Sequence, residues 1–146
     1  MLKRILLICL LIAISSFSNT PHLLVTNPST WWNEAVWDHN ATLWSVLYPG
    51  SEFYTSYTYK FDAEFILRKL AHLSFFGILS LLFYWNLKEQ PRRFLKAWLL
   101  LTIFALLDEL HQAFIVGRDG RVVDVIIDSF GGALFLILLY MRKKAS

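Results

Sequence analysis

Ionisable side chains gather in the last third of the chain in a pattern suited to proton or anion chemistry. Asp108, Glu109, His111 and Gln112 lead into Gly117-Arg118-Asp119-Gly120-Arg121, and Asp124 and Asp128 follow, all between strongly apolar runs. A charged group deep in a bilayer costs roughly 2.5–3.5 kcal/mol on insertion scales, so residues of this kind in such a setting point to a site. An earlier run supplies complementary groups, Arg68, Lys69 and His72. An imidazole among carboxylates can take up or deliver a proton, which makes His72, Glu109 and Asp124 the candidate acid–base residues. Forked guanidinium donors and a lysine point charge suit a phosphate or carboxylate, and Lys69, Gln112, Arg118, Arg121 and Asp128 are the candidate ligand contacts. Gly117 and Gly120 are expected to let backbone N–H groups approach the same oxyanion.

The elements that carry these residues are apolar blocks. Of 146 residues, 56% are hydrophobic and 17% charged, a balance that points away from a soluble domain and toward a bilayer. Four stretches, 2–18, 65–85, 97–116 and 122–141, are close to the ~20 residues that cross about 30 Å of hydrocarbon. The expected fold is therefore all-α. It is a four-helix transmembrane bundle in a single domain, 1–146, with an aromatic-rich extracytoplasmic loop between the first and second spans. The first stretch also fits a signal peptide, with Lys3-Arg4 before it and Ser15, Ser16 and Ser18 near its end. An uncleaved span is the reading adopted. Cys9 lies inside that stretch as the sole cysteine, so no internal disulfide can form.

Nine of the fourteen basic residues, Lys3, Arg4, Lys88, Arg92, Arg93, Lys96, Arg142, Lys143 and Lys144, fall beside span ends on one side. The positive-inside rule then predicts a multi-pass protein of the cell membrane with both termini cytoplasmic. Lys60, Arg68, Lys69, Arg118 and Arg121 fall on the outer side. The net charge of +3 is largely this topology signal, and no basic stripe with interleaved aromatics speaks for nucleic acid. The outer segment Asn19–Glu64 carries Trp31, Trp32, Trp37, Trp44, Tyr48, Tyr54, Tyr57 and Tyr59. Aromatic rings with polar tips favour the headgroup layer, which predicts an interfacial helix over Thr30–Tyr48, stopped by Pro49-Gly50. A loop whose aromatics pack on the bundle is the alternative.

Counting inward from the outer end, Lys69, Gln112 and Asp124 lie about 5–6 Å deep, and His72, Glu109 and Asp128 about 10 Å deep. The spacings Lys69–His72–Phe76, Glu109–Gln112–Val116 and Arg121–Asp124–Asp128–Gly131 each keep to one helix face. Three helices thus bring polar groups to one level, and the faces should meet in a water-accessible pocket. Gly131, Gly132 and Ala133 would let the last span approach a neighbour closely.

Arg68-Lys69-Leu70-Ala71-His72, Asp108-Glu109-Leu110-His111-Gln112, Gly117-Arg118 and Asp124-Val125-Ile126-Ile127-Asp128-Ser129-Phe130-Gly131 together resemble the signature of the VanZ-like family. Lys69, His72, Glu109, Gln112, Arg118, Asp124 and Gly131 match its pattern. Phe76 stands where members often carry Tyr, and Asp128 where Asn is usual. The family takes its name from a protein associated with teicoplanin resistance in Gram-positive bacteria, so the resemblance implies a cell-envelope role that touches glycopeptide susceptibility.

Combined with the pocket, these residues point to binding of a membrane lipid or an anionic lipid-linked cell-wall precursor. A membrane enzyme acting on a lipid-linked phosphate and a purely structural cluster of ion pairs are the competing readings. His72, His111, Glu109, Asp124 and Asp128 could also ligate a metal. No His-x-x-x-His or comparable local signature accompanies them, so neither a metal nor any other cofactor is assigned.

Overall fold

The computed structural model describes residues 1–57 and 62–145. Tyr59 and Lys60 of the aromatic segment lie outside the described residues. Five α-helices follow one another: α1 (Leu2–Ser18), α2 (Leu43–Leu47), α3 (Ala63–Asn86), α4 (Arg93–Gln112) and α5 (Val122–Ala145). Short 3₁₀ turns occupy Pro28–Trp32 and Glu52–Tyr54. Among the described residues the regular structure is helical, apart from an isolated antiparallel bridge between Trp37 and Ile115.

Local chemistry sets the helix ends. The Asp62 carboxylate accepts the Phe65 amide at 2.8 Å and so starts α3 two residues before its apolar run. Arg92, in the left-handed region at φ 61°, precedes α4. That helix begins four residues ahead of the expected Ala97, and the Nε of its first residue, Arg93, donates to the Tyr84 carbonyl of α3 at 2.8 Å. It also stops at Gln112, short of the expected Val116. Residues 113–116 leave the helix to pair with the preceding loop, Asp38 N–H donating to the Phe114 carbonyl and Val116 N–H to that of Val36, both at 2.9 Å.

The continuous helix expected over Thr30–Tyr48 is not formed. Its residues divide into the first 3₁₀ turn, an extended piece bridged to Ile115, and the single-turn α2 with a Thr42/Ser45 capping box. Asn27 caps the 3₁₀ turn, and Asp38 accepts the Asn40 amide, so short polar side chains satisfy backbone groups that a helix would have used. The indoles of Trp32 and Trp44 remain exposed, whereas Trp31 donates to the Leu24 carbonyl at 2.8 Å.

The core lies where α1, α3, α4 and α5 converge. Ile14, Phe76, Leu79, Leu101, Ala105 and Val125 form its main cluster, and Tyr84, Ala97 and Leu136 a second one nearer the basic helix ends. At Gly131 a Cβ would sit 2.8 Å from the Leu73 carbonyl oxygen, so the glycine is what lets α3 and α5 lie backbone to backbone. Both of these helices have 24 residues and are long and apolar enough to cross a membrane. α1 has 17 residues, and α4 carries Arg93, Lys96, Asp108 and Glu109.

Candidate functional site

One turn inside the α3/α5 contact, the expected polar groups meet in pairs. Lys69 of α3 forms an ion pair with Asp124 of α5 and also donates to the Tyr57 hydroxyl. Burial, followed by the charge of Asp124, holds the Tyr57 hydroxyl above its ordinary range, so it stays protonated beside the carboxylate. A turn deeper, His72 Nδ1 lies 3.2 Å from Asp128 Oδ1, and the flat face of Phe76 stacks on the imidazole at 5.9 Å. Phe76 thus fills with apolar area the place beside His72. Asp128, rather than Glu109 or Asp124, is the group that orients His72.

Glu109 of α4 is fully buried, and its Oε2 accepts the backbone N–H of Arg121 at 2.9 Å. It is therefore fixed from the start of α5. Gln112 donates to Asp108 at 2.9 Å and accepts from Arg118 Nη2 at 2.8 Å, coupling the end of α4 to the turn that follows. Among the described residues Asp108 forms no ion pair with a Lys or Arg: the Ser18 hydroxyl at the end of α1 lies 2.7 and 2.8 Å from its two oxygens. Nothing in the spacing of α4 announces that partner, which lies 90 residues away.

Two expected roles change. Arg121 does not stand at a cavity mouth. It is 4% exposed and its guanidinium donates to Thr55 Oγ1 at 2.7 Å, and it pairs with Asp119 at 3.5 Å. Gly117 lines the larger of two cavities at this cluster, and both it and Gly120 are tightly packed on their Cα side. A Cβ at Gly120 would collide with the Glu109 carbonyl and one at Gly117 with the His22 ring, so protein atoms already occupy that space. His111 is remote from the other candidate ligands. It hydrogen-bonds Asn19 at 2.8 Å and meets the Trp37 ring edge-on.

Two cavities open onto this cluster. The larger, about 680 Å³, is lined by charged and polar groups that include Arg68, Lys69, Arg118 and Asp124. The smaller, about 210 Å³, runs between α1 and α3 along Ile14, Phe17, Phe75 and Phe76, with His72 in its wall. Arg68 and Arg118 line both. The Nε atoms of these two arginines are buried without a hydrogen-bond partner among the described residues. Burial first, and then the like charge of Arg68, disfavour the cationic form of Arg118, which is the environment an anion would relieve. Glu109, Gln112, Arg121 and Asp128 lie behind these walls and support them. Arg68, Tyr57 and His22 are cavity residues that were not among the candidate catalytic or ligand contacts. The adjacency of Arg68 to Lys69 was the available signal for the first, and none existed for the loop residues.

The geometry thus offers cationic donors at the junction of a polar and an apolar space, with a carboxylate-oriented imidazole in the apolar wall. A sequence model of the family described as VanZ/LLP1 matches residues 4–143. No curated protein and no solved structure matches the chain.

Proposed function

This chain belongs to the VanZ/LLP1 family, and we propose that within it the protein is a four-span membrane protein whose outward pocket binds an anionic amphiphile of the cell envelope. α1 and α4 join α3 and α5 in crossing the bilayer, and both termini are cytoplasmic. Apolar side chains turned outward on all four helices support this arrangement, among them Ile8, Ile78, Ile103 and Phe130, each 44–63% exposed. The basic residues gathered where α1 begins, α3 ends, α4 begins and α5 ends support the orientation. Cysteine labelling at Ser51 from outside, and at Lys88 only after permeabilisation, is the expected pattern in a Cys9→Ser background.

The observation that carries the ligand reading is the shared wall of Arg68 and Arg118 between a polar and an apolar cavity. An anionic headgroup in the larger space would take the unused guanidinium N–H groups, while the start of a hydrocarbon chain enters the smaller one. An anionic lipid and a lipid-linked cell-wall precursor both have this form. Holding such a precursor would alter what a glycopeptide meets at the cell surface, and susceptibility to those drugs follows as the cellular readout.

Lipid extracted from the purified protein, identified by mass spectrometry, tests the reading. An anionic amphiphile enriched over the bulk membrane in wild type and lost from Arg68→Ala and Arg118→Ala is the expected result. Bulk lipid composition in all three overturns it. His72, held by Asp128 in the wall of the apolar cavity, favours a second reading as an enzyme on a lipid-linked phosphate, with the imidazole as acid or base. Its product would appear in the same lipid extracts on incubation with wild type and not with His72→Gln.

A further inference from the structure

Glu109 and Asp128 are both 0% exposed, and no Lys or Arg side chain among the described residues forms an ion pair with either. Lys69 is committed to Asp124, Arg118 donates to Gln112, and the Arg121 guanidinium reaches Thr55 and Asp119. What stands beside the two carboxylates is His72. Among the described residues, at most one positive charge, that of His72, then stands beside two carboxylates that are themselves fully buried. An uncompensated buried ion of this kind costs several kcal/mol, a cost that a further positive charge would relieve, whether as protons on the carboxylates or as a bound cation.

The same three residues have the geometry to receive it. His72 on α3, Glu109 on α4 and Asp128 on α5 each offer one ligand atom, and these atoms lie within 4.8 Å of one another. Bonds of about 2.0–2.2 Å to a tetrahedral ion place ligand atoms roughly 3.4 Å apart, a contraction that side-chain rotation can supply. Glu109 is already aimed: the Arg121 amide holds its Oε2 at 2.9 Å, and Gln112 Nε2 approaches its Oε1 at 3.4 Å. Outer contacts of this sort orient metal-binding carboxylates. His72 forms part of the wall of the 210 Å³ cavity, which gives an ion its route and leaves room for water at an open position.

We propose that His72, Glu109 and Asp128 bind a divalent first-row transition-metal ion that joins α3, α4 and α5. One imidazole with two carboxylates suits Zn²⁺ or Mn²⁺ better than Ca²⁺, which prefers six to eight oxygens. Asp124 and His111 are outside the set, the first occupied by Lys69 and the second turned to Asn19. The ion requires no amphiphile in either cavity, so the two readings fail separately.

The test uses the full chain purified in detergent without chelator. Elemental analysis is expected to find close to one Zn or Mn per protein. After stripping with a chelator, adding Zn²⁺ or Mn²⁺ should raise the Tm by several degrees, and Ca²⁺ should not. Glu109→Gln and Asp128→Asn should lose both the bound metal and the shift, while His111→Ala keeps both. Wild-type protein that carries no metal and shows no Tm response to either ion overturns the proposal, as does metal retained equally by all three variants. Where a variant does not fold, the wild-type metal content and titration decide the matter.

Discussion

The two ends of the helix bundle treat their cations differently. Where α3 ends and α4 begins, Arg93 lies 4.1 Å over the Tyr84 ring and donates to that residue's carbonyl, and Lys143 donates to the Tyr84 hydroxyl at 2.8 Å. The acid nearest to them, Glu89, is 95% exposed and 3.7 Å from Arg93. At the opposite end Lys69 meets a carboxylate inside the protein, and Asp128 and Glu109 stand behind it beside His72, with no Lys or Arg pair of their own among the described residues. An aromatic face and a carbonyl suffice to hold a cation near a surface, where water shares the work of solvation. Inside, only full charges in close contact offset the loss of water. One end is thus an anchor built from single cations, and the other a coupled charge network.

Substitutions that separate these two designs should differ in size. Lys69→Met leaves Asp124 buried without its cation, and the loss expected for half of a buried pair is about 3–5 kcal/mol. Thermal unfolding in detergent would show it, and a change below about 1 kcal/mol would place Lys69 with the anchoring cations instead. Arg118→Lys removes the Nε and one arm of the fork but keeps the charge. Folding should survive, while affinity for phosphatidylglycerol, measured by titration, falls by about ten- to a hundredfold if charge-assisted bonds of roughly 1.5–3 kcal/mol are lost. Unchanged affinity would assign Arg118 to bracing Gln112 alone.

At the anchoring end the effects shrink. Tyr84→Phe loses the Lys143 hydrogen bond but keeps the ring beneath Arg93, and about 1 kcal/mol or less is expected from the same unfolding measurement. Glu89→Ala should leave the Tm unchanged, since a pair with so exposed a partner is screened by water. A large loss in either would mean that this end, too, depends on coupled charges.

The convergence of the network was legible because helical period converts spacing into facing. Lys69 and His72, one turn apart on α3, meet Asp124 and Asp128, one turn apart on α5, in the order that depth predicts. The loop was not legible in the same way. Extended pairing between Val36 and Val116 follows no apolar period, and it is this pairing that ends α4 early and sets the turn carrying Arg118. Contacts of Arg121 with Thr55, and of Asp108 with Ser18, depend on how distant segments come together. Glu109 is captured by a main-chain N–H, which every residue but proline possesses, so residue type carried no signal for it.

The closeness of α3 and α5 at Gly131 bears on what a solute could do after reaching His72. Immediately beyond lie Phe76, Leu79, Ser80 and Leu101, each no more than 2% exposed, and the two backbones above them leave no width for a file of water. A phosphate or hydrated ion arriving at this depth meets close-packed side chains on the side of the α3/α5 contact. Passage between α3 and α5 would require the two helices to be prised apart along this contact.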